Sequence, residues 1–160
     1  MNSLTFLNIA LVFHLMGLVM IAGSTLLDFV TTGRFWKRYS INKQEALLTR
    51  ELALAFPAVA RIGIALLILS GIAMMTIMHG AYGAQTWMRI KIVLVVLIII
   101  NVLVVGRRNG LKLFKLLNEE RNGADRTIDL QKVKGRIRLF HLSQLIIFVI
   151  IFTLSVFKFN

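Results

Sequence analysis

Polar side chains within otherwise apolar stretches are the residues of this sequence that could do chemistry. The segment LVFHLMGLVMIAGSTLLDFV, residues 11–30, is apolar enough to cross a bilayer, yet it contains a histidine and an aspartate. Ionisable groups in a membrane span are costly, and they normally face the bundle interior or a cavity. On a helix, one small and polar face is formed by His14, Gly17, Leu18, Ile21, Ser24, Thr25 and Asp28. His14 is the leading candidate for a cofactor ligand; the alternative is a packed neutral imidazole bonded to a neighbouring helix.

Other polar residues stand in the remaining apolar runs. His141 and Gln144 share a face near the start of the last run, whereas Lys91 and Asn101 belong to the third. Each has a simpler structural explanation: Lys91 can extend to the membrane surface, and the two amides can join helices by hydrogen bonds. Asp28 is expected either to act in the site or to pair with Arg34 or another basic residue at the membrane boundary.

Four apolar runs must position these residues. They cover about residues 4–30, 62–78, 89–106 and 139–157, each close to the length that spans about 30 Å of hydrocarbon. With 58% hydrophobic residues and a mean hydropathy of +0.79, the 160-residue chain is too apolar for a soluble domain of this size. We predict an all-α fold, a single transmembrane four-helix bundle over residues 1–160. The first run lacks a basic leader, so we expect a span rather than a cleaved signal peptide. The absence of cysteine excludes disulfides and thiolate ligands.

The net charge of +12 is concentrated in two segments. Five cations lie in residues 34–50, between the first two runs, and ten lie in residues 107–138, whereas the link between the second and third runs has none. By the positive-inside rule, both basic segments are cytoplasmic and both termini are on the outer side. The charge therefore indicates topology rather than a nucleic-acid partner, and the predicted partner is the lipid bilayer. Helical extensions are predicted on the cytoplasmic side. Asn42 and Glu45 fit a capping box, and the third helix continues until Asn122 and Gly123. Pro57 is expected to kink the next helix or to separate it from the second span, and a kinked helix that lies at the interface and then enters the bilayer is favoured.

The segment HLMGLVMIAG, residues 14–23, resembles the first helix of the copper-resistance D-like membrane proteins. A similar histidine occurs in the four-helix, haem-binding type of bacterial protoporphyrinogen oxidase. The resemblance includes RIGIALLILSGIAM as a second helix, WMRIKIVLVVLI as a third helix that opens Trp-x-x-x-Lys, and a basic loop before the last helix. It implies a protein of the bacterial cytoplasmic membrane, with His14 as ligand of haem b or a metal and Lys91 as a second functional, catalytic residue.

Three functions follow as hypotheses. The first is a haem b protein of membrane electron transfer or porphyrin oxidation, in which Gly17 makes room for a flat ligand. The second axial ligand is His141, a weaker donor or no residue, and Arg61 and Arg138 pair with the propionates. The second is copper handling by Met75, Met78 and His79 at the outer face, since Cu(I) favours thioether and imidazole ligands.

The third hypothesis is a non-catalytic membrane subunit whose polar stripe docks a partner helix. A redox partner or a second copy of the chain would be compatible with any of the three. The sequence contains no motif of classical soluble enzymes, so whether the protein is an enzyme, specifically a membrane oxidoreductase, stays open.

Overall fold

The computed structural model describes residues 2–47, 55–79 and 85–157, and within these ranges all regular secondary structure is helical. Residues 43–47 form a short helical segment. Each of the four long helices is long and apolar enough to cross a membrane. They are α1 (Ser3–Tyr39), α2 (Phe56–Ile77), α3 (Thr86–Arg121) and α4 (Thr127–Phe157). The prediction of an all-α fold with four membrane-length helices is therefore confirmed, and the predicted spans lie within these helices to one residue.

Three of the helices are longer than a membrane requires. With 37 residues, α1 measures about 55 Å at 1.5 Å per residue, whereas the hydrocarbon core is about 30 Å thick. The helices α3 and α4 have 36 and 31 residues, but α2 has only 22. The chain therefore forms a membrane-length bundle with a helical extension at one end, where α1 ends and α4 begins.

The closest packing joins α1 and α2, which run antiparallel. A Cβ atom added to Gly17 would lie 2.8 Å from the carbonyl oxygen of Gly63 and 2.9 Å from the backbone nitrogen of Leu67. Real side chains do not tolerate such distances, so the helix axes approach this closely only because both positions are glycine. The small face of α1 predicted from the sequence is thus used within the chain, against α2.

The middle of the membrane-length bundle is filled by large aliphatic and aromatic side chains from all four helices. This apolar layer consists of Ile21, Ile64, Leu67, Ile98, Phe148 and Ile151. The outward faces of the same helices are also apolar, as Val19 and Leu69 illustrate with 70% and 66% exposure. A surface with this composition is suited to lipid rather than to water.

A second core holds the extension together, and we call this part the basic end. Its buried residues come from α1, from the segment 43–47, and from the adjacent parts of α3 and α4: Phe35, Ala46, Leu113, Leu116, Leu117, Leu130, Val133 and Ile137. Ion pairs join its surface, including Arg126 with Glu119 at 2.7 Å and Lys43 with Glu120 at 2.6 Å. The predicted helical extensions are therefore present and packed on one another.

The predicted helix boundaries at Asn42 and Gly123 are confirmed, whereas the favoured kink at Pro57 is wrong. The side chain of Asn42 accepts hydrogen bonds from the backbone N–H groups of Gln44 and Glu45, which caps the segment 43–47. Pro57 lies in the first turn of α2, so it starts that helix rather than kinking it. Gly123 follows α3 with φ of 92°, a conformation that suits glycine. The predicted continuation of the helix over residues 48–54 and the glycine-rich turn over 80–84 lie outside the described residues.

Candidate functional site

His14 lies on the face of α1 that packs against α2. Its Nδ1 atom is 3.0 Å from the hydroxyl oxygen of Ser70, and Gly71 leaves room for the edge of the ring. The Ser70 hydroxyl lies only 2.6 Å from the carbonyl oxygen of Leu66, so its single proton is donated there. The hydroxyl oxygen consequently accepts a hydrogen bond from Nδ1–H of His14.

This assignment sets the chemistry of the imidazole. With the proton on Nδ1, the neutral ring has its lone pair on Nε2. Metal-binding histidines have the same arrangement, in which one nitrogen donates to a neighbouring group and thereby fixes the ring for coordination by the other. His14 is thus oriented and in the tautomer that a ligand requires.

A cavity of about 260 Å³ lies next to His14, between all four helices. Its polar side chains are His14, Lys91 and Ser155, and its floor is formed by the apolar layer. The remaining walls are aliphatic or aromatic, with Leu11, Leu15, Leu18, Val95, Ile99 and Phe152 among them. We call this space the His14 cavity.

The structure therefore brings two of the predicted site residues together. His14 on α1 and Lys91 on α3 line the same cavity, although they are 77 positions apart in the chain. Gly17 lies one turn below His14, but it faces α2 rather than the cavity, because the Gly63 backbone occupies the space beside it. Its contribution is to hold α1 and α2 together.

Three other predicted residues lie towards the basic end. His141 lies on α4 seven residues before Phe148, the first cavity residue of that helix, which is about 10 Å along the helix. Arg61 and Arg138 are exposed, and neither side chain lines the cavity. The structure thus does not place His141, Arg61 or Arg138 beside His14.

His141 has a different partner. Its Nε2 atom is 2.9 Å from a carboxylate oxygen of Asp28 on α1, and its ring is 1% exposed. The rings of Phe29 and Phe140 lie against it, with centroid distances of 5.9 and 5.1 Å. Asp28 was expected to act in the site or to pair with Arg34 or another basic residue; the structure pairs it with His141.

The two amide side chains, Asn101 and Gln144, differ in their hydrogen bonding. Asn101 donates a hydrogen bond of 3.0 Å to Ser143 on α4, as expected for a residue that joins two helices. Gln144 is fully buried, but neither its amide nitrogen nor its amide oxygen has a hydrogen-bond partner in the described part of the chain. The same is true of Nδ1 of His141.

The residues of the copper hypothesis lie at the end of α2 that is far from the basic end. Met75 is 40% exposed, Met78 is half-buried in the turn that follows the helix, and His79 is exposed. Within the described ranges, no three His, Cys, Asp or Glu residues cluster as they would around a metal ion. This result does not include methionine side chains, so copper binding by Met75, Met78 and His79 stays a prediction.

Sequence reasoning missed how the polar residues are paired. No sequence signal predicts that Ser70 contacts His14 or that Ser143 contacts Asn101. The aromatic residues Phe148 and Phe152 line the His14 cavity, but a sequence pattern does not distinguish them from lipid-facing phenylalanines.

Comparisons with known proteins add no relative to this description. No family model, curated protein or solved structure matches the chain. Any function must therefore be argued from the geometry of the chain itself.

Proposed function

We propose that this chain is a membrane haem b protein in which Nε2 of His14 is the axial ligand, and that it acts in electron transfer or porphyrin oxidation. The observation that carries the proposal is the hydrogen bond from Nδ1 of His14 to Ser70, which leaves the lone pair of Nε2 available. An axial histidine of a haem protein needs this tautomer. No other histidine in the described ranges combines an oriented ring with an adjacent cavity in the bundle.

The surroundings of His14 also suit a porphyrin. The His14 cavity is lined almost entirely by aliphatic and aromatic side chains, which is the environment of haem sites between the helices of a bundle. Lys91, in the same cavity, supplies one positive charge for a carboxylate group or for a substrate. Because His141 lies elsewhere, the proposal assigns a single protein ligand, His14.

The size of the cavity sets a condition on the proposal. Pockets that enclose drug-sized ligands measure about 300–1,000 Å³, and a porphyrin with two propionates is at least as large as such a ligand. The His14 cavity, at about 260 Å³, does not enclose haem b with the helices as they stand. Binding therefore requires α3 and α4 to move away from the tightly packed pair of α1 and α2.

The proposed setting is a bacterial cytoplasmic membrane. The basic end carries most of the cations of the chain, so the positive-inside rule supports a cytoplasmic location for it and an outer location for both termini. The exposed apolar faces of the four helices support lipid as the main partner. Cations at the basic end pair with acidic residues of the chain itself, including Glu119 and Glu120, which gives no reason to invoke nucleic acid.

An absorption spectrum of the purified protein in detergent, after expression with sufficient haem, tests the proposal. We expect a Soret band in the wild-type protein and its loss in His14→Ala. The matched control is His79→Ala, which removes an exposed histidine near the end of α2 and should leave the band unchanged. A protein without a Soret band, or a band that survives His14→Ala, would show that the proposal is wrong.

A second variant tests the tautomer argument. Ser70→Ala removes the acceptor of the Nδ1 proton but keeps the ligand, and changes of this kind typically cost 10–100-fold in affinity for the group that the histidine binds. Haem titration of Ser70→Ala should therefore show weaker binding, whereas Thr76→Ala, on the exposed outer part of α2, should bind as the wild type does. Equal affinity of both variants would refute the role assigned to Ser70.

A further inference from the structure

The inner half of the membrane-length bundle contains a second polar cluster that the proposed function does not use. Its members are His141 and Gln144 on α4 and Asp28 on α1. The side chain of Asp28 is 32% exposed, whereas His141 and Gln144 are 1% and 0% exposed. The cluster therefore extends from a carboxylate that can be reached from outside the bundle to an amide that is completely enclosed.

Three buried polar atoms of this cluster have no partner in the described residues. They are Nδ1 of His141 and both amide atoms of Gln144, which lie one turn apart on the same face of α4. A buried polar group without a hydrogen bond costs roughly 1–3 kcal/mol, so native structures almost always satisfy such groups with protein or with ordered water. Two adjacent unsatisfied side chains with both donor and acceptor capacity are suited to a buried water molecule.

The backbone beside the cluster is also unusual. The segment Asn101–Gly106 of α3 is π-helical, and it contacts α4 at the level of His141. Asn101 donates a hydrogen bond to Ser143, and Gly106 accommodates the ring of Phe140. Single π-helical turns within α-helices are uncommon, and they occur frequently at functional sites. The sequence gives no reason for a helix break here, because the segment NVLVVG contains neither proline nor a charged residue.

We propose that His141, Asp28 and Gln144 form a proton-binding site, in which Nδ1 of His141 exchanges a proton with a buried water molecule held by the Gln144 amide. In the unloaded state, Nε2–H donates to the Asp28 carboxylate and Nδ1 carries a lone pair. In the loaded state, a proton taken from solvent through that water is bonded to Nδ1, and the carboxylate balances the charge of the imidazolium. On release, the same N–H bond breaks and the proton returns to water.

The charges around the pair are compatible with this role. Asp28 is the only titratable side chain that hydrogen-bonds His141 in the described residues. The four helices also carry arginines towards the basic end, and these are exposed: Arg34, Arg61, Arg107 and Arg138. The inference does not rest on the proposed function, because proton binding at His141 requires no bound cofactor.

Nuclear magnetic resonance of protein labelled with ¹⁵N at histidine, in lipid nanodiscs, tests the site directly. The chain has only three histidines, so single substitutions assign every signal. In the wild type, we expect the His141 nitrogen shifts to change as lowering the pH places a proton on Nδ1. In Asp28→Asn, which keeps a hydrogen-bond acceptor but removes the charge, we expect this change to be lost.

A second readout addresses the water. Magnetisation transfer from water to the His141 ring should be present in the wild type and lost in Gln144→Leu, which has a similar volume but no polar atoms. The signals of His79, an exposed residue, serve as an internal reference in every variant, and unchanged His14 signals show that each variant is folded. A His141 signal that is constant with pH in the wild type, titrates equally in Asp28→Asn, or shows no transfer from water would overturn the proposal.

Discussion

The contact between Gly17 and Gly63 provides the sharpest test of how the bundle is held together. In Gly17→Ala, the added methyl group would lie 2.8 Å from one backbone atom of α2 and 2.9 Å from another. Backbone atoms within a helix cannot move independently, so the two helices must separate or tilt. Overpacking of this kind typically costs about 1–3 kcal/mol.

The same helix offers a matched control. A Cβ atom added to Gly23 meets no atom within 4 Å, so Gly23→Ala changes only the local preference for helix, which favours alanine by up to about 1 kcal/mol. Both variants make the same chemical change in α1. The difference between their free energies of unfolding therefore isolates the helix contact, and we expect Gly17→Ala to be less stable than Gly23→Ala by about 1–3 kcal/mol.

The assay is reversible unfolding in mixed micelles, with helix content followed by circular dichroism as the denaturing detergent is increased. Gly63→Ala should resemble Gly17→Ala, because its Cβ atom would lie 2.9 Å from the Gly17 carbonyl oxygen. The double variant should cost less than the sum of the two, since helices separated by the first methyl group leave space for the second. If Gly17→Ala and Gly23→Ala unfold at the same free energy, the close approach of α1 and α2 is refuted.

Three further predictions concern other parts of the molecule. Phe35→Ala, in the core of the basic end, should lower the free energy of unfolding by about 3–5 kcal/mol. Ile41→Ala, at a residue that is 82% exposed, should change the free energy of unfolding little, and equal effects of the two variants would contradict this core. Hydrogen bonds from the backbone and side chain of Thr127 lower the pKa of the Asp125 carboxyl below its usual 3.8. The carboxylate therefore contributes to stability above that pH, and the contribution is lost as the pH falls through the lowered pKa. In Asp125→Asn, the free energy of unfolding measured against pH should lack this acid-dependent loss, and a profile like that of the wild type would refute the contribution. If the chain binds haem as proposed, Lys91→Met should leave the Soret band in place but lower the rate of electron transfer or porphyrin oxidation, and an unchanged rate would remove Lys91 from the proposed site.

The helices could be predicted from the sequence because their signals are local. Apolar runs of membrane length, the cap at Asn42, the proline at the start of α2 and Gly123 after α3 each act within a few residues. The π-helical segment of α3 could not be predicted. Its residues are ordinary for a membrane helix, and the distortion accompanies contacts with Phe140 and Ser143 on another helix.

The candidate site could be predicted only in part. The polar face of α1 identified His14, and the third helix identified Lys91, but their common cavity depends on how the helices are rotated about their axes. The partner of Asp28 could not be predicted for the same reason. Several cations lie close to Asp28 in the sequence, but its partner in the structure is His141, 113 positions away. Only the packing of α1 against α4 selects that partner.

The two polar regions of the bundle are separated, and this limits how they can cooperate. The apolar layer lies between the His14 cavity and the cluster of His141. Ser24 and Thr25, the polar residues of α1 at that depth, each donate to a carbonyl oxygen of their own helix at 2.6 and 2.8 Å. They therefore do not extend a hydrogen-bonded path from one region to the other, and protons must reach the two regions from opposite ends.

With the helices in place, coupling between the regions is electrostatic, and its size can be estimated. Fourteen residues of α1 separate His14 from Asp28, which corresponds to about 21 Å along the helix. Two unit charges at that distance interact by about 0.8 kcal/mol at an effective dielectric constant of 20. A haem at His14 and a proton at His141 would thus affect each other by roughly half a pH unit. A midpoint potential whose pH dependence is much steeper, and which Asp28→Asn abolishes, would show that a path through the apolar layer opens during function.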